Sequence, residues 1–257
     1  MAYALKGCFG NSPSKHTLMR NLRILPVILL AGIFSCHKDF FFTITPRDFL
    51  SGSKYTQLVI EVQYPSGYRP DDATLAQLET FLGDHLHKPG GIIIKEKPIS
   101  SPGLSAYSID DIKKIEKKNR SEFTQRRTLT AYILFVDGDY NANSGNSRVL
   151  GMTYASTSMV IFEKTLRDFS GGIGQPSTLV LEETVSDHEF GHLLGLVNNG
   201  TEMLSDHQDA AHGKHCNVEG CLMNYEVETS NIIANVFSSV PVLDQHCVDD
   251  LRANGGK

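Results

Sequence analysis

Residues 188–192 read His-Glu-Phe-Gly-His, and the reading of this run decides what fold the remainder of the chain has to supply. Two histidines four apart on a helix project from one face, one turn above the other. Their imidazole nitrogens then converge on a point where a divalent metal can sit. Glu189, next to the first histidine, is in position to act as general base for a water activated there. The pattern predicts a zinc-dependent hydrolase with one catalytic Zn2+ held in part by His188 and His192. It also sets requirements: a helix to carry the pair, a third ligand, a floor beneath the metal and a groove for substrate.

Working outward, Thr178–Val197 is predicted as the long helix that carries the motif, entered from a Gly-rich loop at Ser170–Ser177. Leu179, Val180, Glu183, Val185 and the two histidines lie on overlapping faces, so part of this helix is expected to be buried against a sheet. Asn198-Asn199-Gly200 ends it, because Asn and Gly tolerate the left-handed cap. Upstream, Tyr55–Tyr64 reads as a strand broken by Pro65-Ser66-Gly67. Asp71–His87 has Leu75, Leu78, Leu82 and Leu86 at helical spacing and is stopped by Pro89-Gly90-Gly91. Ile92 begins a second strand, and Ser108 with Asp111 forms a capping box for a helix to about Asn119. Thr128–Val136 is almost wholly apolar or β-branched, the composition of a central strand buried on both faces. Val149–Tyr154 and Ser158–Phe162 are two further strands. This alternation implies an α/β (α+β) fold with a mostly parallel, twisted sheet. Beyond the long helix a loop-rich C-terminal lobe is expected, with one helix at about Val242–Ala253, Asp244 near its start.

Five of the ten histidines (His188, His192, His207, His212 and His215) fall within 28 residues. Residues 188–195 read His-Glu-Phe-Gly-His-Leu-Leu-Gly, and residues 215–223 read His-Cys-Asn-Val-Glu-Gly-Cys-Leu-Met. Together these resemble the metzincin metalloproteases, and in particular the archaemetzincin-like variant, whose pattern H-E-x-x-H-x-x-G-x-x-H continues as H-C-x4-C-x-M. The two halves are separated here: the position three after Gly195 is Asn198, and His215 lies 17 residues further on. An insertion from Asn198 to Lys214 accounts for the split, and a longer loop costs only about 0.6 kcal/mol per doubling of its length. His215 is the expected third ligand, because it alone carries the Cys-x4-Cys-x-Met sequel; His207, Asp209, His212 and Asn198 are the rivals. The resemblance implies a two-lobe zincin divided at about residue 197. It also implies that Met223 is the methionine of the turn, an apolar floor under the metal, and that Tyr225 reaches the metal or the oxyanion; an ordinary core tyrosine is the alternative. Gly151–Phe162 becomes the candidate edge strand to pair with an extended peptide.

Archaemetzincins hold a second, structural zinc with four cysteines. This chain offers Cys216, Cys221 and the lone Cys247 there, so a four-cysteine site cannot form. In an exported protein the expectation is one disulfide among these three. A glutamate-ligated zincin, with Glu226 or Glu228 as third ligand, is a second reading. A zinc-binding surface lipoprotein that binds protein or glycan without catalysis is a third, disfavoured by the intact Glu189.

The chain has 257 residues, 40% of them apolar, enough to bury a core as one domain. Residues 1–35 contain four basic residues and no acid, and within them an 11-residue apolar run at Ile24–Phe34 follows Lys15, Arg20 and Arg23. That is too short for a membrane span of about 20 residues and has the order of a secretory signal. Ile33-Phe34-Ser35-Cys36 resembles a bacterial lipobox, which would make Cys36 a lipidated mature N-terminus; an ordinary cleaved signal is the alternative, and Met19 is a plausible start. The expected organisation is a leader at 1–35, a tether at 36–53 ending in a docking segment, and a catalytic domain at 54–257. The expected location is the bacterial outer membrane or cell surface through a lipid anchor, or else the periplasm or medium. Without the leader, 24 basic residues become 20 against 29 acids, or −9. That balance argues against nucleic acid, whose phosphates require clustered Lys and Arg. The expected partner is a peptide or protein substrate.

Overall fold

The computed structural model describes residues 43–144, 148–228 and 239–257. The leader, Cys36 and the first part of the tether lie outside the described residues, so the readings made there stand as proposals.

The core is a five-stranded sheet in the order β2-β1-β4-β7-β6, where β1 is Gln57–Pro65, β2 Ile92–Ile99, β4 Thr128–Phe135, β6 Gly151–Ala155 and β7 Ser158–Ile161. A two-residue pair, β3 (Ala106–Tyr107) with β5 (Asp139–Tyr140), stands apart. β1 runs parallel to β2 and to β4, and β4 parallel to β7, while β6 turns back antiparallel to β7. The fold is therefore α/β with a mostly parallel sheet. β4 sits in the middle, and its residues alternate between two cores: Leu129, Ala131, Ile133 and Phe135 face one, Tyr132 and Leu134 the other. A strand buried on both faces has no polar side to present, which is why it reads as a continuous apolar run. β2, at the outer edge, carries Lys95, Glu96, Lys97 and Pro98, residues that discourage pairing with another chain.

Helices cover both faces. α3 (Ile109–Asn119) is capped reciprocally by Ser108 and Asp111 and buries Ile112 and Ile115 in the smaller core. α2 (Asp72–His85), α5 (Thr178–Leu193) and α6 (Gln245–Ala253) pack in the larger one. The polar ends are satisfied locally: Asp71, Ser177 and Asp244 accept the N–H groups of Ala73, Val180 and Cys247.

Two expectations change. α5 stops at Leu193, four residues short of Val197, because Gly195, Val197 and Asn198 all adopt positive φ and reverse the chain at once. In addition, the segment read as ending in a docking piece contains α1 (Pro46–Leu50), whose Phe49 and Leu50 are fully buried in the main core. The folded body thus begins before residue 54. Lys88 fastens this corner, its ammonium donating to the carbonyls of Asp48, Ser51 and Tyr55. α4 (Glu163–Asp168), between β7 and the Gly-rich loop, was not expected. After α5 the described residues form turns, a 3-10 turn at Tyr225–Glu228, and α6.

Candidate metal centre

α5 is buried along its second half: His188 and Glu189 are fully inaccessible and His192 nearly so. Such a helix shows little amphipathic contrast, since polar residues with partners of their own occupy its inner face. The turn after it is held by Asn199, whose side chain donates to the His192 carbonyl, and by Thr201, whose hydroxyl donates to that of Leu194. Gly195 makes the reversal possible: at φ +77° an added Cβ would lie 2.5 Å from Pro46 and 2.8 Å from the Thr201 nitrogen.

The inserted segment then folds back on the strip that follows it. The Asp209 N–H donates to the His215 carbonyl at 2.7 Å and the Asn217 N–H to that of His207 at 2.9 Å, with a bridge between Gln208 and Cys216. This hairpin-like pairing delivers His215 to α5. One ring nitrogen from each of His188, His192 and His215 falls within 4.8 Å of the others, with ring centroids 4.8 to 5.4 Å apart. The His188 Nδ1–H donates to the Leu222 carbonyl at 2.7 Å, and the His215 Nδ1–H to the His212 carbonyl at 2.9 Å. Both bonds leave Nε2 as the nitrogen with a lone pair, the tautomer that a metal requires. His188 Nε2 and His192 Nε2 stand 3.1 Å apart, close to the roughly 3.3 Å that two imidazoles span on a tetrahedral Zn2+ with bonds of about 2.0–2.1 Å. Burial, then the neighbouring imidazoles, hold His192 well below the usual histidine range, so it is neutral. Two fixed tautomers, a neutral third ring and converging lone pairs fit a zinc ion.

The surroundings divide the remaining sequence candidates. Met223 is fully buried with its sulfur against Gly191, where an added Cβ would lie 2.3 Å from Sδ; it therefore lies beneath the helix beside His192. Glu189 lies against β6, and a Cβ on Gly151 would come within 2.9 Å of its Oε1. Thr153, on the same strand, donates to the Glu189 carbonyl at 2.7 Å. Tyr225 is stacked flat on His212, centroids 3.6 Å apart, and His212 Nδ1 is 2.8 Å from Asp209 Oδ2. Asn198 donates to Gln208. Among the described residues, none of these rivals, nor Glu226, belongs to the three-histidine group. A cleft of about 220 Å3 opens beside His192, lined in part by Thr153, Ser156, Asn199 and Lys214.

The cysteines contradict the disulfide expectation. Cys216, Cys221 and Cys247 are all free thiols and all buried, with Cys221 and Cys247 sulfurs 3.8 Å apart. Hydrogen bonds from Cys221 and Cys247 push the Cys216 thiol down, and the same contacts push the other two up. His207, weighed above only as a rival ligand, joins them: its Nδ1 is 3.4 Å from Cys216 Sγ and 3.9 Å from Cys247 Sγ. Its Nε2 faces Asp250 at 2.8 Å. No feature of the sequence marked Asp250 for this place; it precedes the apolar Leu251 on an otherwise ordinary C-terminal helix.

The site thus sits in an α/β domain whose buried helix carries two histidines, completed by a third from a following loop. No family model matches the chain, and no curated protein matches it. Among solved structures it is similar to archaemetzincin from Methanopyrus kandleri, at 15% identity and a TM-score of 0.53 over 77% of this chain and 96% of that one. It is also matched to a zinc-dependent peptidase from Methanocorpusculum labreanum, at 14% identity and a TM-score of 0.44 over 75% and 99%. At this identity the likeness to archaemetzincin is one of fold.

Proposed function

We propose that the protein is a zinc-dependent metalloendopeptidase in which His188, His192 and His215 hold the ion and Glu189 is the general base. The observation that carries this reading is the meeting of three imidazoles within 4.8 Å, with Glu189 one residue along the same helix and packed on an edge strand. A zinc ion held by these three residues would supply Lewis acidity toward a peptide carbonyl and a water beside it. Glu189 takes the proton of the attacking water and passes it to the departing amine. Burial keeps its carboxylate away from bulk solvent, and β6 fixes where it stands. β6 lies at the end of the sheet order, with β7 its one strand partner among the described residues, so its outer edge is suited to pair with an extended substrate. Met223 supplies the apolar floor. Tyr225, stacked on His212, is the proposed partner of the oxyanion. If Cys36 is lipidated, the substrates are proteins at a cell surface.

The test is Glu189→Gln. The variant is expected to retain its catalytic zinc by metal analysis and to lose peptide hydrolysis by about 10²–10⁴-fold, the usual weight of general acid–base catalysis. Full activity in that variant overturns the assignment. A zinc-loaded wild-type protein that cleaves nothing in a peptide library, yet binds a protein or glycan, favours the non-catalytic reading.

A further inference from the structure

On the peptidase reading above, on which this rests, we propose that Lys214 makes the cleft beside His192 a site for a substrate carboxylate. The protein then selects peptides with an acidic residue about two to four positions from the bond that is cut, the distance being set by β6.

The cleft measures about 220 Å3, below the roughly 300–1,000 Å3 of sites that enclose a whole small molecule. That size suits one side chain of a longer substrate. Thr153 and Ser156 reach it from β6 and the turn after it, His192 from α5, and Asn199 and Lys214 from the segment between α5 and His215. Among the described residues that line it there is no acid, and Lys214 is its cation, in a chain with 29 acidic residues against 24 basic ones. The charge of Lys214 is among those that act on the His192 ring. Its ammonium makes no hydrogen bond or ion pair among the described residues. The acid closest before it in sequence, Asp209, is taken by His212 at 2.8 Å. An ammonium left open at the wall of a cleft gains a charge-assisted hydrogen bond when a carboxylate arrives.

The backbone under Lys214 is set by its neighbours. The His215 Nδ1–H donates to the His212 carbonyl at 2.9 Å, so the turn that carries the lysine is closed by the third histidine of the metal centre. Lys214 takes φ +72°, a left-handed conformation that its side chain disfavours, although Gly213 stands next to it. A lysine kept where a glycine would rest without strain is the kind of outlier that gathers at ligand sites. The edge strand meets the cleft at a register shift between Thr153 and Ala155, and such a bulge bends a strand locally. From Gly151, which backs Glu189, to Ala155 the strand advances four residues, roughly 13 Å. A peptide laid along β6 with its scissile bond at Glu189 therefore carries a side chain a few positions away into the reach of Lys214. The free C-terminus of a short peptide offers the same carboxylate chemistry, and amidated substrates separate the two sources.

The experiment uses the zinc-loaded full chain and C-terminally amidated peptides in which one position at a time is Glu, Gln or Lys. Wild-type protein is expected to cleave the Glu peptides with a kcat/KM about 10-fold above their Gln counterparts at one such position, the weight of one charge-assisted hydrogen bond. Lys214→Arg is expected to keep that preference, Lys214→Met to remove it and Lys214→Glu to turn it toward Lys, all three with unchanged zinc content. A Glu preference that survives in Lys214→Met overturns the assignment. A preference confined to peptides with a free C-terminus overturns the acidic side chain as its source. Binding supplies the arm that needs no catalysis. The Glu189→Gln variant is expected to bind the Glu peptide about 10-fold more tightly than the Gln peptide by fluorescence anisotropy, and to lose the difference when Lys214→Met is added. Equal binding of the two peptides overturns the carboxylate site whether or not the wild type is a peptidase. Selective binding beside a wild type that cleaves none of the peptides supports the site and overturns the peptidase reading alone.

Discussion

Gly151 has no side chain to spare because Glu189 fills the space one would take. A Cβ there would stand 2.7 Å from the Glu189 Cγ and from a Val185 methyl, and 2.9 Å from Oε1. Those atoms belong to the middle and second half of the helix that carries His188 and His192, so the edge strand and the proposed base are fitted to each other. Gly151→Ala is expected to displace the carboxylate while leaving the three histidines alone. A shift of about 1 Å at a reacting group can cost roughly 10²-fold, whereas overpacking costs about 1–3 kcal/mol of stability. The expected outcome is a fall in kcat of about 10–100-fold, with zinc content unchanged, read by peptide hydrolysis beside metal analysis. An unchanged kcat would show that β6 does not set the position of the base. His188, Glu189 and His192 were legible in the sequence because a helix converts spacing directly into geometry. His207 was not legible in its observed role. Its partners Cys247 and Asp250 lie 40 and 43 residues away, and no local periodicity reports a contact that only the folded chain makes.

At the scale of elements, the strands and helices that alternate in pattern appear close to their expected bounds, and those built on tertiary contact do not. α3 begins at its capping box and β4 fits its apolar run, because both signals are local. α1 has five residues, too few to form alone, and exists because Phe49 meets Phe190 edge-on, centroids 5.8 Å apart at 90°. Phe190 lies between Glu189 and Gly191, so α1 braces the helix that carries His188 and His192. Phe49→Ala is expected to destabilise the protein by about 3–5 kcal/mol, the usual cost of emptying an aromatic core site, measured by urea unfolding of the zinc-loaded form. A loss under about 1 kcal/mol would place α1 outside the cooperative unit. The early end of α5 has a similar origin: Val197 takes φ +52°, a conformation its own side chain disfavours, because the reversal and the insertion behind it require it.

Across the whole molecule, the two halves of the α/β layer are tied by a buried acidic contact that the sequence left unmarked. Glu163 on α4 is fully buried beside Glu182 on α5. Glu182 accepts from the Asp71 N–H at 2.8 Å and the Thr74 hydroxyl at 2.5 Å at the start of α2, so three helices share one point. Burial first, then the charge of Glu182, push Glu163 up to about 9, while Arg167, whose Nε donates to it at 2.5 Å, opposes the rise. A proton kept by one carboxyl can be shared with the other, as like charges at close range require. The sign follows from linkage. Below the unfolded value of 4.5, both states hold the proton and the native contact is at full strength. Between 4.5 and about 9 the unfolded chain releases it and the native one keeps it, so the unfolded state binds fewer protons and stability falls as pH rises. Glu163→Gln keeps a neutral donor in place without a proton to lose. It is expected to leave the melting temperature near pH 5 little changed and to raise it at pH 8.5 by at least about 2–4 °C, the shift that 1 kcal/mol produces in a domain of this size. Parallel melting curves for the two proteins across that range would show that Glu163 carries no net proton on folding, and that Arg167 neutralises the pair instead.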